Sequence, residues 1–323
     1  MTKILIYAPF VFLGAILYLT PNMTRRGLLF AVPVAETFRE SPEGRKALRM
    51  FRLVVVLASA IGILALAFLP SVNAIQAATL ALVAVAAWAY YKANRLVAPF
   101  AVREQGKRSV ELSDAPDKLP RSVWLGIGPF VILAWAAWYL HAHWSAIPAR
   151  FPVHTGIDGV PDRWAEKGFK GVYGGLVFAG ELCLWFLVSA LASWYGARRS
   201  SLRSSMLALL IAVEYGMAFL FAVLAMQPLL AMPMWMILVS VFAPAALLIW
   251  FVMKKAAEPT DAADKTPAEC WKGGVLYYNP GDPVLFVERR AGFGYTMNFG
   301  NPWSWALFGG LAIVVATLPL VLA

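Results

Sequence analysis

The chain has 323 residues, of which 60% are hydrophobic and 14% are charged, and its mean hydropathy is +0.66. A soluble domain carries about 25% charged residues, so this composition excludes an ordinary soluble protein. The net charge is +10. Because most of the basic residues lie in the segments between apolar runs, we expect no nucleic-acid partner. The two cysteines, Cys183 and Cys270, indicate neither a disulfide framework nor a cysteine metal site.

Long apolar runs dominate the chain. A transmembrane helix needs about 20 mostly apolar residues, and eight runs meet or nearly meet that length: 4–20, 52–70, 74–94, 123–143, 172–196, 205–226, 231–253 and 303–323. The predicted fold is therefore an all-α polytopic membrane protein in a lipid bilayer. It has about eight transmembrane helices and a small cytoplasmic β-hairpin module before the last helix.

Four regions follow from this pattern. They are an N-terminal three-helix region with basic loops, a four-helix region with one large outer loop, a linker with the β-module, and the final helix: 1–122, 123–255, 256–302 and 303–323. Residues 41–51, with Ser41 as a helix N-cap, are predicted to be helical. They either lie at the lipid interface or extend the second span.

The basic residues predict the topology. With Arg52, the polar segments 21–51, 92–122, 197–204 and 254–302 contain 23 of the 28 lysines and arginines. All four segments fall on one side if each run crosses once, and cytoplasmic loops carry the excess of basic residues. We therefore expect a multi-pass protein of the plasma membrane with both termini outside.

Residues 144–171 form the one substantial outer loop. Its prolines and glycines restrict the backbone and permit sharp turns, so a rigid cap on the outer face is expected. The candidate outer-loop site consists of five side chains: His154, Asp158, Asp162, Arg150 and Trp164. We expect the side chains of His154 and Asp162 to lie in contact. This pair could bind a ligand, ligate a metal or hold the cap in one conformation.

The three histidines lie close together in sequence. Imidazole and carboxylate groups are zinc ligands, which makes a metal site conceivable at His141, His143, His154 and Asp162. The alternative is that His141 and His143 are interfacial polar residues beside an aromatic belt. No other cofactor is expected.

Two acidic residues lie inside apolar runs. Glu181 and Glu214 fall near the predicted midplane, with Tyr215 as a candidate hydrogen-bond partner. Ionisable groups in membranes usually face a bundle interior or a water cavity. The pair predicts either a proton or cation path with a shared polar cavity, or a protonated structural hydrogen bond.

The segment before the last run alternates β-branched and aromatic residues with turn sequences. This pattern is typical of a small β-hairpin or a three-strand meander. Asn279 and Asp282 are predicted to shape the first turn, and Asn298 and Asn301 the entry to the final helix.

The motif "IPARFPVHTGIDGVPDRW" resembles the signature of a bacterial membrane family, domain of unknown function 1648, which includes SdpI-like immunity and signalling proteins. The C-terminal "WKGGVLYYNPGDPVLFVERRAGFGYTMNFGNPWSW" resembles domain of unknown function 5808. Thr155 stands where many relatives have an aromatic residue. The resemblance implies resistance to a secreted peptide toxin and a signal to a cytoplasmic repressor in the SdpI-like branch.

Three functions remain open from the sequence. The favoured one is a receptor or immunity-type membrane protein that binds an extracellular peptide or small ligand through the outer loop and contacts a cytoplasmic protein partner. The second is a proton-coupled transporter that uses Glu181 and Glu214. The third is a membrane-embedded, metal-dependent enzyme that uses His154 and Asp162.

Overall fold

The structure is a computed structural model that describes the following residues: 2–24, 26–69, 71–102, 118–155, 160–197, 202–230, 234–257, 266–290 and 292–322. It is mostly helical. The helices are α1 (Thr2–Leu19), α2 (Pro42–Phe68), α3 (Val72–Val97), α4 (Gly128–Ala142), α5 (Phe169–Gly196), α6 (Leu202–Ala225), α7 (Gln227–Leu230), α8 (Met234–Ala257) and α9 (Pro302–Leu322). A 3₁₀ helix, Arg121–Ile127, leads directly into α4.

Six helices in the described part of the chain are long and apolar enough to cross a membrane: Pro42–Phe68, Asn73–Phe100, Arg121–Ala142, Phe169–Gly196, Leu202–Ala225 and Trp235–Ala257. The first and last of the eight predicted runs are also helical. Tyr7–Met23 and Pro302–Thr317 are the apolar helical stretches found among their described residues. The protein is therefore a multi-span membrane protein with six candidate spans in the described part of the chain.

Helix α2 begins with the segment that could have been a separate interfacial helix. The Ser41 hydroxyl accepts a hydrogen bond from the Gly44 backbone N–H at 3.0 Å, and Pro42 occupies the first helical position. Both features favour a helix start. Helix α2 then continues to Phe68 without a break, so the extension of the second span is the correct alternative.

Among the described residues, four antiparallel two-stranded sheets lie between the helices. They pair β1 (Leu28–Leu29) with β2 (Val32–Pro33), β3 (Arg150–Thr155) with β4 (Pro161–Glu166), β5 (Trp271–Lys272) with β6 (Leu276–Tyr277), and β7 (Phe286–Glu288) with β8 (Tyr295–Met297). The expected β-hairpin before the last helix is present as β7–β8. The expectation of an otherwise all-α fold is wrong, because two further hairpins lie outside the module and the module contains a second hairpin, β5–β6.

The β1–β2 hairpin has no sequence signal because its turn residues are Phe30 and Ala31, with φ angles of 49° and 66°. Such left-handed conformations normally favour glycine or asparagine. Here the Phe30 ring is buried, with its centroid 5.4 Å from that of Phe51 and 5.3 Å from that of Tyr90. Packing of this aromatic ring therefore offsets the backbone strain.

The described parts of the connections that carry most of the basic residues meet at one end of the bundle. The Asn94 side-chain amide donates to the Phe30 carbonyl oxygen at 2.7 Å. Gly274 lies against Ala31, and the Leu285 N–H donates to the Gly196 carbonyl oxygen at 3.0 Å. We call this end the module end, and the opposite end, which carries β3–β4, the hairpin end.

Candidate functional site

The outer loop folds as the β3–β4 hairpin. Its register pairs Arg150 with Glu166, Phe151 with Ala165, Pro152 with Trp164, His154 with Arg163, and Thr155 with Pro161, with register shifts on either side of His154. At the base, the Lys167 N–H donates to the Ala149 carbonyl oxygen at 2.8 Å. The prolines and glycines predicted a rigid cap, and the two strands were not predicted from the sequence. Asp158 and the turn around it lie outside the described residues.

The hairpin is anchored by apolar residues at its base. Phe151 and Ile147 are buried, and they belong to a core cluster that also contains Leu140 of α4, Val172 of α5 and Ala222 of α6. Three helices therefore hold the first strand. The base of the hairpin is fixed relative to the membrane helices, while its outer residues remain exposed.

His154 and Asp162 lie in contact on the outer part of the hairpin. The His154 Nδ1 atom is 2.5 Å from the Asp162 Oδ1 atom, and their side chains are 58% and 54% exposed. The hydrogen bond from His154 is the main cause that lowers the pKa of Asp162 below its ordinary value. When Nδ1 donates to a carboxylate, Nε2 can accept a hydrogen bond or bind a ligand.

Arg150 and Trp164 form a second exposed pair. The Arg150 guanidinium carbon is 5.5 Å from the centre of the Trp164 ring, a cation–π contact worth about 0.5–1 kcal/mol at exposed sites. Trp164 remains 45% exposed. The indole is thus covered by a cation on the hairpin, and the hairpin end offers an aromatic surface beside a positive charge.

The predicted metal ligands have separate surroundings. The His143 Nδ1 atom is 2.9 Å from the Tyr139 carbonyl oxygen, and its ring lies 4.2 Å from the Tyr139 ring. His141 instead lines an apolar groove between α4 and α5. Among the residues that the structure describes, no three histidine, cysteine or acidic side chains come together as a metal site. The proposed set with His154 and Asp162 is therefore not assembled.

The two acidic residues inside the spans have different partners. The Thr317 hydroxyl of α9 donates to the Glu181 Oε2 atom at 2.6 Å. The Glu214 side chain is fully buried, and neither of its carboxyl oxygens has a hydrogen-bond partner among the described residues. A Cβ atom added at Gly126 would lie 3.6 Å from the Glu214 Oε2 atom, and one at Gly128 would meet the Tyr215 hydroxyl. Glu214 therefore faces the start of the α4 span.

The C-terminal module is organised around Asn298, which is completely buried. Its side-chain amide donates to the carbonyl oxygens of Asn279, Asp282 and Val284 at 2.9–3.2 Å. Its Oδ1 atom accepts from the N–H groups of Asn279 and Gly300 at 2.9 and 3.0 Å. One side chain thus joins the 279–284 turn to the segment before α9.

The other three predicted polar residues complete this network. The buried Tyr277 hydroxyl donates to Asp282 at 3.0 Å and accepts from the Asn279 side-chain amide at 3.1 Å. Burial is the main cause that raises the pKa of Tyr277 to about 12. Asn301 caps α9, because its Oδ1 atom accepts from the Trp303 N–H at 3.0 Å. The network therefore fixes how the module enters the last helix.

Thr317 and Gly196 were not identified from the sequence. Thr317 is one polar residue in the last apolar run, and its pairing with Glu181 depends on α9 packing against α5. Gly196 ends α5, where a Cβ atom would lie 2.9 Å from the Leu285 Cβ atom. A glycine at the end of an apolar run was the available signal, but it does not identify the contacting segment.

These features define a multi-span helical membrane protein with an exposed hairpin at one end and a folded polar module at the other. Residues 130–174 match the model of a domain of unknown function, DUF1648, over α4, the hairpin and the start of α5. Residues 280–305 match the model of a family of unknown function, DUF5808, over much of the Asn298 network. Both domains that the sequence resembles are therefore detected. No curated protein and no solved structure matches the chain.

Proposed function

We propose that the protein is a receptor or immunity-type membrane protein that binds an extracellular peptide or small ligand through the β3–β4 hairpin. One observation carries the proposal. The His154–Asp162 pair is more than half exposed on a hairpin whose base is buried among three helices. A preorganised polar pair with an exposed imidazole nitrogen suits recognition, because little side-chain ordering is needed on binding.

The neighbouring side chains extend this surface. Arg150 and Trp164 offer a cation and an aromatic face, and aromatic residues and arginine are enriched where binding energy is concentrated. A short peptide with an acidic group and an apolar side chain fits this chemistry. The resemblance of the outer-loop motif to SdpI-like proteins suggests a secreted toxin peptide as the ligand and a cytoplasmic partner at the module end. The enzyme alternative, with His154 as a base oriented by Asp162, stays a prediction.

Peptide selection tests the receptor proposal. The protein in lipid nanodiscs is exposed to a phage-displayed library of random linear peptides, with counter-selection on a His154→Ala/Asp162→Asn double variant. We expect peptides that bind the wild type and the control Asn73→Ala, an exposed position outside the hairpin, but not the double variant. Monodisperse elution and unchanged circular dichroism establish that the variants are folded. Failure to enrich any peptide that depends on the pair would contradict the proposal.

The proposed topology has eight spans, both termini outside and the module in the cytoplasm. It is supported by the basic residues at the module end. In a background lacking Cys183 and Cys270, the exposed positions Val153 and Leu276 are replaced singly by cysteine in whole cells. A membrane-impermeant maleimide should label V153C directly and L276C only after permeabilisation. Direct labelling of L276C would show that the module end faces outward, which contradicts the proposed orientation.

Glu214 supports proton-coupled transport as a second candidate. A fully buried carboxyl group without a hydrogen-bond partner in the described part of the chain is costly in a membrane, and a passing proton or cation would reduce that cost. In liposomes with a potassium diffusion potential and a pH-sensitive dye, wild-type protein should carry protons. Glu214→Gln should abolish the flux, while the exposed control Glu166→Gln should retain it. Flux equal to that of protein-free liposomes would exclude this candidate.

A further inference from the structure

A lateral groove separates α4 from α5 at the hairpin end. It has a volume of about 640 Å³ and nine lining residues, among them Leu133, Ala137 and His141 from α4 and Phe169, Tyr173 and Val177 from α5. Residues 133 to 141 and 169 to 177 each extend over about 12 Å of helix at 1.5 Å per residue. This length is comparable to one leaflet of the hydrocarbon core, about 15 Å deep.

The groove is apolar along its length and becomes polar only at its outer mouth. Leu133, Ala134 and Val177 lie at the deeper part, whereas His141 and Phe169 lie at the ends of their helices nearest the hairpin. The small side chains of Ala134 and Ala137 leave the space open. A chain-like apolar molecule with a polar head at the hairpin end matches this distribution.

Basic residues outnumber acidic residues in the chain segments next to the mouth. The described residues 144–155 and 160–171 contain four basic side chains (Arg150, Arg163, Lys167 and Lys170) and two acidic ones (Asp162 and Glu166). Asp162 is engaged by His154. Lys170 is exposed one residue after Phe169 and three before Tyr173, so it lies beside the stripe of α5 that lines the groove. This arrangement complements an anionic headgroup.

We propose that the α4–α5 groove binds an anionic glycerophospholipid from the leaflet at the hairpin end. One acyl chain lies along Leu133, Ala137 and Val177, and the phosphate lies between Lys170 and His141. The lysine supplies a charged donor, and the imidazole supplies an N–H donor. The lipid then fills the space beneath the hairpin and becomes part of the surface from which the hairpin rises.

Photocrosslinking in nanodiscs tests the site. Wild-type protein is placed in phosphatidylcholine discs that contain a small fraction of phosphatidylglycerol with a diazirine on its acyl chain. Peptide mass spectrometry should locate crosslinks in α4 and α5 at the groove. Lys170→Ala/His141→Ala should lower the yield about fivefold or more, since each cation near a membrane surface contributes about 1 kcal/mol.

Two comparisons separate groove binding from general contact with lipid. Ala134→Trp fills the groove at an exposed position, and Ala84→Trp makes the same change on the lipid-exposed surface of α3. The first should abolish the groove crosslinks and the second should leave them unchanged. The groove of the wild type should be labelled only weakly by a phosphatidylcholine probe. Its yield should not exceed the yield of the phosphatidylglycerol probe on the Lys170→Ala/His141→Ala variant.

Three labelling results would overturn the proposal. They are equal labelling of the groove by the two probe lipids, wild-type labelling in Ala134→Trp, and labelling spread evenly over all helices. Displacement of the probe by a peptide selected on the hairpin, but not by unlabelled phosphatidylglycerol, would also overturn it and would assign the groove to the peptide.

Discussion

The backbone N–H of Leu285 donates to the carbonyl oxygen of Gly196 at 3.0 Å, which joins the C-terminal module to the last residue of α5. A bridge between Ala197 and Phe286 extends the contact. The N-terminus of α5 follows directly after the β3–β4 hairpin. The helix has 28 residues and spans about 42 Å, so one rigid element connects the candidate ligand surface to the module.

Gly196→Ala tests this contact. The new Cβ atom would lie 2.9 Å from the Leu285 Cβ atom, and overpacking of this kind costs about 1–3 kcal/mol. The module should undock more often, and hydrogen–deuterium exchange should increase at Leu285 and Phe286. Gly180→Ala in the same helix is the control, because no described atom apart from its chain neighbours and its own helix backbone lies within 4 Å of its new Cβ atom. Equal exchange in the two variants would show that Gly196 has no role in docking.

Replacement of Asn298 by alanine should unfold the module. The change removes the donors to three carbonyl oxygens and the acceptor for two N–H groups. Each buried group left without a partner costs about 1–3 kcal/mol, so the total should reach about 3 kcal/mol or more. Trypsin should cleave at Lys272 and Arg289 much faster than in wild type. The control Asn73→Ala, at an exposed position, should keep the wild-type rate.

The module should open in alkaline solution. The folded-state pKa of Tyr277, about 12, lies above the ordinary value of 10 because the phenol is buried. Folding therefore favours the neutral phenol. Its stabilising contribution is complete below pH 10 and is lost as the pH rises through 12. Proteolysis of the module should accelerate over that interval, together with tyrosinate absorbance.

Two tyrosine variants identify the group responsible. Tyr277→Phe removes the ionisable hydroxyl and should abolish the alkaline step, although it weakens the module at neutral pH by the loss of two hydrogen bonds. Tyr278→Phe changes the exposed neighbour and should retain the step. An alkaline transition that persists in Tyr277→Phe would assign it to another residue.

His154→Ala should raise the pKa of Asp162 toward its ordinary value of 3.8, because the hydrogen bond from His154 is the main cause of the lowering. The pair stabilises the hairpin above that ordinary pKa, and the contribution is lost as the pH falls through the lower folded-state value. Carbon-13 NMR of labelled aspartates measures the titration, and Asp162→Asn identifies the signal. An Asp162 pKa that does not change in His154→Ala would show that the contact is absent in solution.

A double-mutant cycle on the same pair separates ligand recognition from a structural latch. If His154 and Asp162 only hold the hairpin together, each single variant should lower the melting temperature, and the double variant should lower it by less than the sum of the two. Peptide binding per folded molecule should then be unchanged. If the pair recognises the ligand, each variant should lose binding at nearly wild-type stability. Thermal unfolding in nanodiscs and peptide titration supply both measurements.

The sequence by itself determined the positions of the helices, because apolar runs in a bilayer must satisfy their backbone hydrogen bonds within the segment. It also predicted the start of α2 at Ser41 and the polar turn residues around Asn279 and Asn301. These features depend on neighbours within a few residues, and local chemistry decides them.

Tertiary structure decided the features that depend on distant contacts. The turn at Phe30 and Ala31 has no local signal, and burial of Phe30 against α2 and α3 stabilises it. Glu181 and Glu214 lie in consecutive predicted spans, yet the first faces Thr317 of α9 and the second faces Gly126 before α4. Hydropathy indicates that a helix is buried in lipid or protein, but only helix packing determines which neighbour each side chain meets.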